Sequence, residues 1–89
     1  MLQQTTTIVN KLGLHARAAA KFVTHASQFE SDINVKRNNI DVNGKSIMGV
    51  MMLAAAKGSE IELVINGVDE SQAMQSLLEL IANRFGEAE

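Results

Sequence analysis

The sequence contains no cysteine, no tryptophan and no tyrosine, and it has no long apolar run. Without cysteine, disulfides and thiolate metal sites are excluded, and stability must come from core packing alone. No apolar stretch approaches the length of a membrane span, and residues 1–5 lack the basic and apolar regions of a secretory signal. We therefore expect a cytoplasmic protein without membrane insertion.

Aromatic residues are scarce as well, since three phenylalanines are the only ones in the chain. RNA-binding sheets use aromatic side chains as stacking platforms, and nucleic-acid-binding domains are usually basic. This chain has a formal net charge of −2, so we expect no binding to nucleic acid. Residues 11–45 nevertheless carry six basic and three acidic side chains, which predicts a locally basic face around Lys11, Arg17, Lys21 and Lys45. Such a face would suit a phosphate or an acidic partner, and ordinary solvated surface charge is the alternative.

Hydrophobic periodicity predicts seven elements in the order β-α-β-β-α-β-α within a single domain, residues 1–89. Strands are predicted at residues 3–9, 33–37, 40–42 and 61–65, and helices at about residues 16–27, from residue 47 and after residue 69. The first helix should bury a stripe formed by Ala19, Phe22, Val23 and Ala26. Asp69 and Gln72 have the spacing of a capping box, and the last helix should bury Met74, Leu77, Leu78, Ile81 and Phe85 before Gly86 ends it. The order matches the split βαβ pattern, which predicts an α+β domain with helices on one face of an antiparallel sheet.

His15 is the residue whose position in the sequence most clearly indicates a chemical function. It follows the glycine-bearing turn of residues 10–14, it directly precedes an alanine-rich helical run, and Arg17 lies two positions after it. A helix start offers free backbone N–H donors and a positive dipole end, and a neutral imidazole has a nucleophilic nitrogen. The pattern therefore predicts a residue that carries a phosphoryl group, with Arg17 as a contact to it. A surface histidine without a function is the alternative. No magnesium-binding carboxylate cluster or P-loop lysine accompanies it, which favours a carrier over an enzyme.

Ser46 and the short apolar run after it form the second notable segment. Ser46 is expected at or near the N-cap of a brief helix, and it is also a candidate for regulatory phosphorylation in an exposed turn; both roles are compatible. A helix this short cannot bury every side, so some of Ile47, Met48 and Met51 should form an exposed apolar patch, which is typical of an interaction surface.

Two segments together resemble a known family. Residues 10–17, NKLGLHAR, are similar to the active-site segment of HPr, the histidine-containing phosphocarrier family of the bacterial phosphoenolpyruvate:sugar phosphotransferase system. Residues 43–53, NGKSIMGVMML, are similar to the family's second signature around a regulatory serine. The spacing of the two motifs also fits, and the resemblance covers essentially the whole chain.

The resemblance implies an open-faced β-sandwich, with a four-stranded antiparallel sheet and three helices on one side. It implies that His15 accepts phosphate on Nδ1 from phosphorylated Enzyme I and passes it to Enzyme IIA proteins, with Arg17 contacting the phosphoryl group. Ser46 would be the serine modified by HPr kinase/phosphorylase. The implied partner-binding residues are Ala16, Ala20, Lys21, Ile47, Met48 and Met51. The carrier would be a monomer that needs no metal and no cofactor.

One position departs from the family pattern, because Ala18 stands where the family usually has proline. Proline near the first turn fixes a helix start, so the segment that holds His15 should be somewhat freer here. The sequence also resembles the nitrogen-related branch of the family, called NPr. The alternative function is therefore an NPr-type regulatory carrier, or a binding module with no role in sugar transport, although the Ser46 segment favours HPr with serine regulation.

Overall fold

The computed structural model describes all residues, 1–89, and has the predicted element order. The strands are β1 (Leu2–Thr7), β2 (Asp32–Arg37), β3 (Ile40–Asn43) and β4 (Glu60–Asn66). The helices are α1 (Ala16–Ala26), α2 (Ile47–Met52) and α3 (Glu70–Ala82), and a 3₁₀ turn over Arg84–Gly86 follows α3. No helix is both long and apolar enough to cross a bilayer.

The four strands form one antiparallel sheet in the order β1-β4-β2-β3. The last strand is therefore central, with Leu63 opposite Gln4 of β1 on one side and opposite Val35 of β2 on the other. Alternate residues of β4 point to one face, where Ile61, Leu63 and Ile65 are buried, because side chains alternate across a strand. This confirms the predicted α+β class, and it supplies the pairing order that periodicity could not.

The core lies between that face of the sheet and the helices. Its largest fully buried side chains include Phe22 of α1, Leu77 and Ile81 of α3, and Phe85. The stripe predicted for α1 is right for Ala19, Phe22 and Ala26, whereas Val23 is only half buried. Ala18 is fully buried instead, so the buried face of α1 is rotated slightly about the helix axis, away from Val23 and towards Ala18.

Two boundaries differ clearly from the sequence-based prediction. β1 ends at Thr7, because the backbone of Ile8 leaves the ladder and bonds Gly58 and Ser59 in the turn before β4. α3 ends at Ala82, because Arg84 and Phe85 adopt positive φ angles of 57° and 54°. Phe85 is nevertheless buried, as predicted, but it reaches the core from the 3₁₀ turn and not from the helix.

The capping box predicted at the start of α3 is wrong. Asp69 is the N-cap residue by position, but its side chain makes no cap hydrogen bond. Its carboxylate instead accepts hydrogen bonds from the Glu30 and Ser31 backbone amides and from Ser31 Oγ, at 2.9, 3.0 and 2.5 Å. A tertiary contact between the α1–β2 connection and α3 has therefore replaced the local one. These bonds, that of Ser31 Oγ foremost, lower the pKa of Asp69.

Candidate functional site

The turn between β1 and α1 is tightly constrained by the backbone that faces it. Gly13 has φ +68°, a left-handed conformation that favours glycine, and a Cβ there would lie 2.5 Å from the Ala55 carbonyl oxygen. The next residue, Leu14, is buried and donates its backbone N–H to the same oxygen at 2.9 Å. The turn therefore fixes where the following residue, His15, enters α1.

His15 is the N-cap residue of α1, with an extended backbone (φ −72°, ψ 177°). Its side chain makes no cap hydrogen bond, and the first helical bond runs from Ala19 N–H to the His15 carbonyl at 2.8 Å. The backbone amides of Ala16 and Arg17 consequently have no partner within the chain. Free amides at a helix start, close to a histidine, can bind an anion such as a phosphoryl group.

The imidazole of His15 contacts a residue that the sequence did not point to. His15 Nε2 lies 2.5 Å from Glu87 Oε2, and the two side chains are 24% and 13% exposed. The other carboxylate oxygen of Glu87 accepts a hydrogen bond from Asn10 Nδ2 at 3.0 Å, and the same amide group donates to the Gly13 carbonyl at 2.8 Å. His15 Nδ1 has no hydrogen-bond partner in the structure.

The carboxylate of Glu87 is held in its ionised form. Burial raises its pKa, but hydrogen bonds from Asn10 and His15, together with the charges of His15 and Arg17, outweigh burial, so that the pKa lies below the ordinary value of 4.5. At neutral pH a negative charge therefore stands against the Nε2 side of the ring.

The segment that carries Glu87 is anchored on both sides of it. The side chain of Phe85 is buried in the core, and its carbonyl accepts a hydrogen bond from Lys21 Nζ at 2.7 Å. At the other end, Lys11 Nζ pairs with Glu89 Oε2 at 3.1 Å. The C-terminal tail thus lies across the turn that precedes α1. Sequence reasoning missed this contact because Glu87 is 72 residues from His15 and the tail carries no motif.

The predicted basic residues are brought together only in part. Lys11, Arg17 and Lys21 line a cavity of about 550 Å³ together with the tail. The side chain of Arg17 is exposed and forms no hydrogen bond or ion pair, so it is available for an anion. Lys45 is not part of this surface, because its Nζ donates to the Phe29 carbonyl at 2.7 Å.

Ser46 is the N-cap residue of α2, as predicted. Its Oγ accepts a hydrogen bond from the Gly49 backbone amide at 3.1 Å, and its carbonyl accepts the first helical bond, from Val50. α2 buries only Val50, so the helix depends strongly on this cap and on contacts with α1 and β3.

The predicted apolar patch is exposed on α2. Ile47, Met48 and Met51 are 44%, 77% and 41% exposed. Two further exposed apolar side chains, Met52 of α2 and Leu12 of the turn before α1, were not predicted. Of the other residues expected to bind partners, Ala16 is exposed, whereas Ala20 and Lys21 are half buried. No group of three His, Asp or Glu side chains is arranged to hold a metal ion.

The chain is similar to known proteins of one family. Residues 2–83 match the family described as PTS HPr component phosphorylation site. The chain belongs to the HPr family. It is 60% identical to the phosphocarrier protein HPr of Neisseria meningitidis serogroup A over 89 residues, which is the whole of both chains.

Solved HPr structures share the fold. An HPr from Thermoanaerobacter tengcongensis superposes with a TM-score of 0.96 at 47% identity and covers all of both chains. An HPr dimer from the same organism gives a TM-score of 0.79 at 48% identity, over 98% of this chain and 100% of that one. The HPr family is that of a phosphocarrier of the phosphotransferase system, which agrees with a histidine presented at a helix start.

Proposed function

We propose that this HPr-family chain carries a phosphoryl group on His15 Nδ1, which it receives from phosphorylated Enzyme I and passes to Enzyme IIA proteins. The observation that carries the proposal is the N-cap position of His15, with unpartnered amides at Ala16 and Arg17 and an unengaged Nδ1. Membership of the HPr family supports the same role.

The chemistry follows from these groups. The lone pair of His15 Nδ1 attacks phosphorus, while the bond between phosphorus and the donor atom of phosphorylated Enzyme I breaks and its electron pair returns to that atom. The phosphoryl oxygens then accept hydrogen bonds from the free amides of the helix start, and the unpaired guanidinium of Arg17 adds a charged contact. The carrier supplies no turnover of its own, because the partners provide donor and acceptor.

The apolar patch of α2 is the proposed docking surface for these partners. Exposed methionines adapt to different partner surfaces, and Enzyme I and Enzyme IIA proteins must each bind and release the carrier. Ala16, Ala20 and Lys21 of α1 are proposed to extend this surface, because α1 packs against α2.

Ser46 is proposed as a regulatory phosphorylation site for HPr kinase/phosphorylase. A phosphate there would lie at the start of α2, where backbone amides tolerate it, and would add about two negative charges beside Ile47 and Met48. The sequence of the Ser46 segment, residues 45–49, favours this regulated HPr branch. An NPr-type regulatory carrier without a role in sugar transport is the alternative, and phosphorylation of the chain by HPr kinase/phosphorylase would discriminate between them.

Labelling by Enzyme I and phosphoenolpyruvate tests the carrier function. The wild type should form an acid-labile, base-stable phosphoryl adduct, and His15→Ala should form none. The matched control is His25→Ala, because His25 is the only other histidine and its Nδ1 contacts the Lys21 carbonyl within α1. Equal labelling of the wild type and His15→Ala would refute the assignment.

A monomeric, cytoplasmic carrier is the proposed state. β1 pairs with β4 of the same chain, and the core is closed within one copy, so no second copy is needed to complete the fold. Light scattering after size-exclusion chromatography should therefore give the mass of one chain, 9.6 kDa. A stable mass of two chains would contradict this.

A further inference from the structure

We infer that Glu87 is a positioning residue for the phosphoryl transfer: it holds the proton of the His15 ring on Nε2 and thereby leaves the lone pair on Nδ1. This inference rests on the proposed carrier function of His15. It assigns a role to the C-terminal tail, which no motif in the sequence indicates.

The Glu87 carboxylate determines which nitrogen of the His15 ring carries the proton. An ionised carboxylate can only accept hydrogen bonds, and Glu87 Oε2 lies 2.5 Å from His15 Nε2. Nε2 must therefore be the donor. In the neutral ring only one nitrogen carries hydrogen, so Nδ1 keeps its lone pair and is nucleophilic.

The buried side chain of Asn10 holds Glu87 in place. Asn10 is fully buried, and its Nδ2 group donates both to Glu87 Oε1 and to the Gly13 carbonyl. Its own Oδ1 is buried without a partner. The reversed amide would place Oδ1 against two acceptors, so the observed orientation is required even though it leaves one oxygen unsatisfied. A buried amide thus orients the carboxylate, which in turn orients the imidazole, as in the outer shells of many histidine sites.

The charge of the His15 ring changes during transfer. When the Nδ1 lone pair forms the bond to phosphorus, the proton stays on Nε2 and the ring becomes a phosphorylated imidazolium with a positive charge. The Glu87 carboxylate already faces that charge, so it stabilises the product ring more than the neutral ring. No proton has to leave, and the donor keeps the electron pair of the broken bond.

The test compares Glu87→Gln with Glu89→Gln in the full chain. Both variants neutralise one carboxylate of the tail, but Glu89 pairs with Lys11 and does not contact His15. Phe85 remains buried in both and keeps the start of the tail docked, which its amide resonance would verify. Nitrogen-15 NMR at about pH 9, above the ordinary imidazole range, reports which ring nitrogen of His15 carries hydrogen.

We expect Nε2–H alone in the wild type and in Glu89→Gln, and a mixture of both tautomers in Glu87→Gln. Phosphorylation by phosphoramidate, followed by phosphorus NMR, should be roughly tenfold slower in Glu87→Gln and within about twofold of the wild type in Glu89→Gln. Phosphoramidate makes the rate independent of Enzyme I docking.

Three results would overturn the inference. An unchanged tautomer and rate in Glu87→Gln would leave the carrier function intact but remove the role of Glu87. A faster rate in Glu87→Gln would mean that the tail blocks His15. If neither Enzyme I nor phosphoramidate phosphorylated the wild type, the carrier function would be refuted, and this inference would fall with it.

Discussion

The cap of α2 offers a sharp test of how much a single hydrogen bond stabilises the short helix that carries the exposed apolar patch. Ser46 Oγ accepts from the Gly49 amide at 3.1 Å, and α2 has only six residues, of which Val50 alone is buried. Ser46→Ala removes the acceptor and should cost about 1 kcal/mol of unfolding free energy. For a domain of this size, that corresponds to a melting temperature lower by about 4–8 °C.

The companion variant Ser46→Asp separates the cap from the charge. Aspartate is as good an N-cap as serine, so this variant should retain nearly all of the stability that Ser46→Ala loses. Its affinity for Enzyme I should nevertheless fall, because a negative charge then lies beside the exposed Ile47 and Met48. Ser46→Ala should bind Enzyme I nearly as well as the wild type once it is folded.

Thermal unfolding followed by circular dichroism and calorimetric titration with Enzyme I measure the two effects separately. A melting temperature of Ser46→Ala equal to that of the wild type would refute the capping role of Ser46. A loss of stability in Ser46→Asp as large as that in Ser46→Ala would show that an acceptor at this position is not what stabilises α2. Unchanged affinity of Ser46→Asp for Enzyme I would refute the electrostatic account of regulation.

Three further predictions concern the rest of the site. Gly13→Ala should lose about 1–3 kcal/mol in urea unfolding, because its Cβ would meet the Ala55 carbonyl at 2.5 Å in a left-handed conformation; wild-type stability would contradict this. The folded-state pKa of Glu87 is depressed below 4.5, so its contribution to stability is present above pH 4.5 and is lost as the pH falls through the folded-state value. The free energy of unfolding in urea, measured between about pH 6 and 3, should therefore depend less steeply on pH in Glu87→Gln than in the wild type. Parallel curves would refute a contribution of Glu87 to stability. Met48→Asp should weaken Enzyme I binding at least roughly tenfold at unchanged stability, whereas Val68→Asp, at another highly exposed apolar residue, should not; equal effects would argue against a patch on α2.

Local signals in the sequence accounted for the elements of the fold. The alternation of apolar residues predicted β4, the helical spacing of Phe22 and Ala26 predicted the buried side of α1, and Ser46 marked the start of α2. These features depend on neighbours within a few residues, which is the range over which periodicity and capping act. Prediction from neighbouring residues failed at Asp69, because a tertiary contact with Ser31 replaced the predicted capping box.

His15 and Arg17 could be selected from the sequence because the turn, the histidine and the helix start are contiguous. That contiguity, together with the Ser46 segment, also determined the family to which the chain belongs. The sequence by itself therefore determined the class of the fold, the phosphate-accepting candidate and the exposed side of α2.

Only the tertiary structure decided the order of the strands and the surroundings of the His15 ring. Glu87 reaches His15 because Phe85 enters the core and Lys21 holds its carbonyl, after which Asn10 orients the carboxylate. Each of these contacts joins residues that are more than 60 positions apart. No local pattern encodes such a contact, because it forms only when packing of the core brings the tail back over the turn that holds His15.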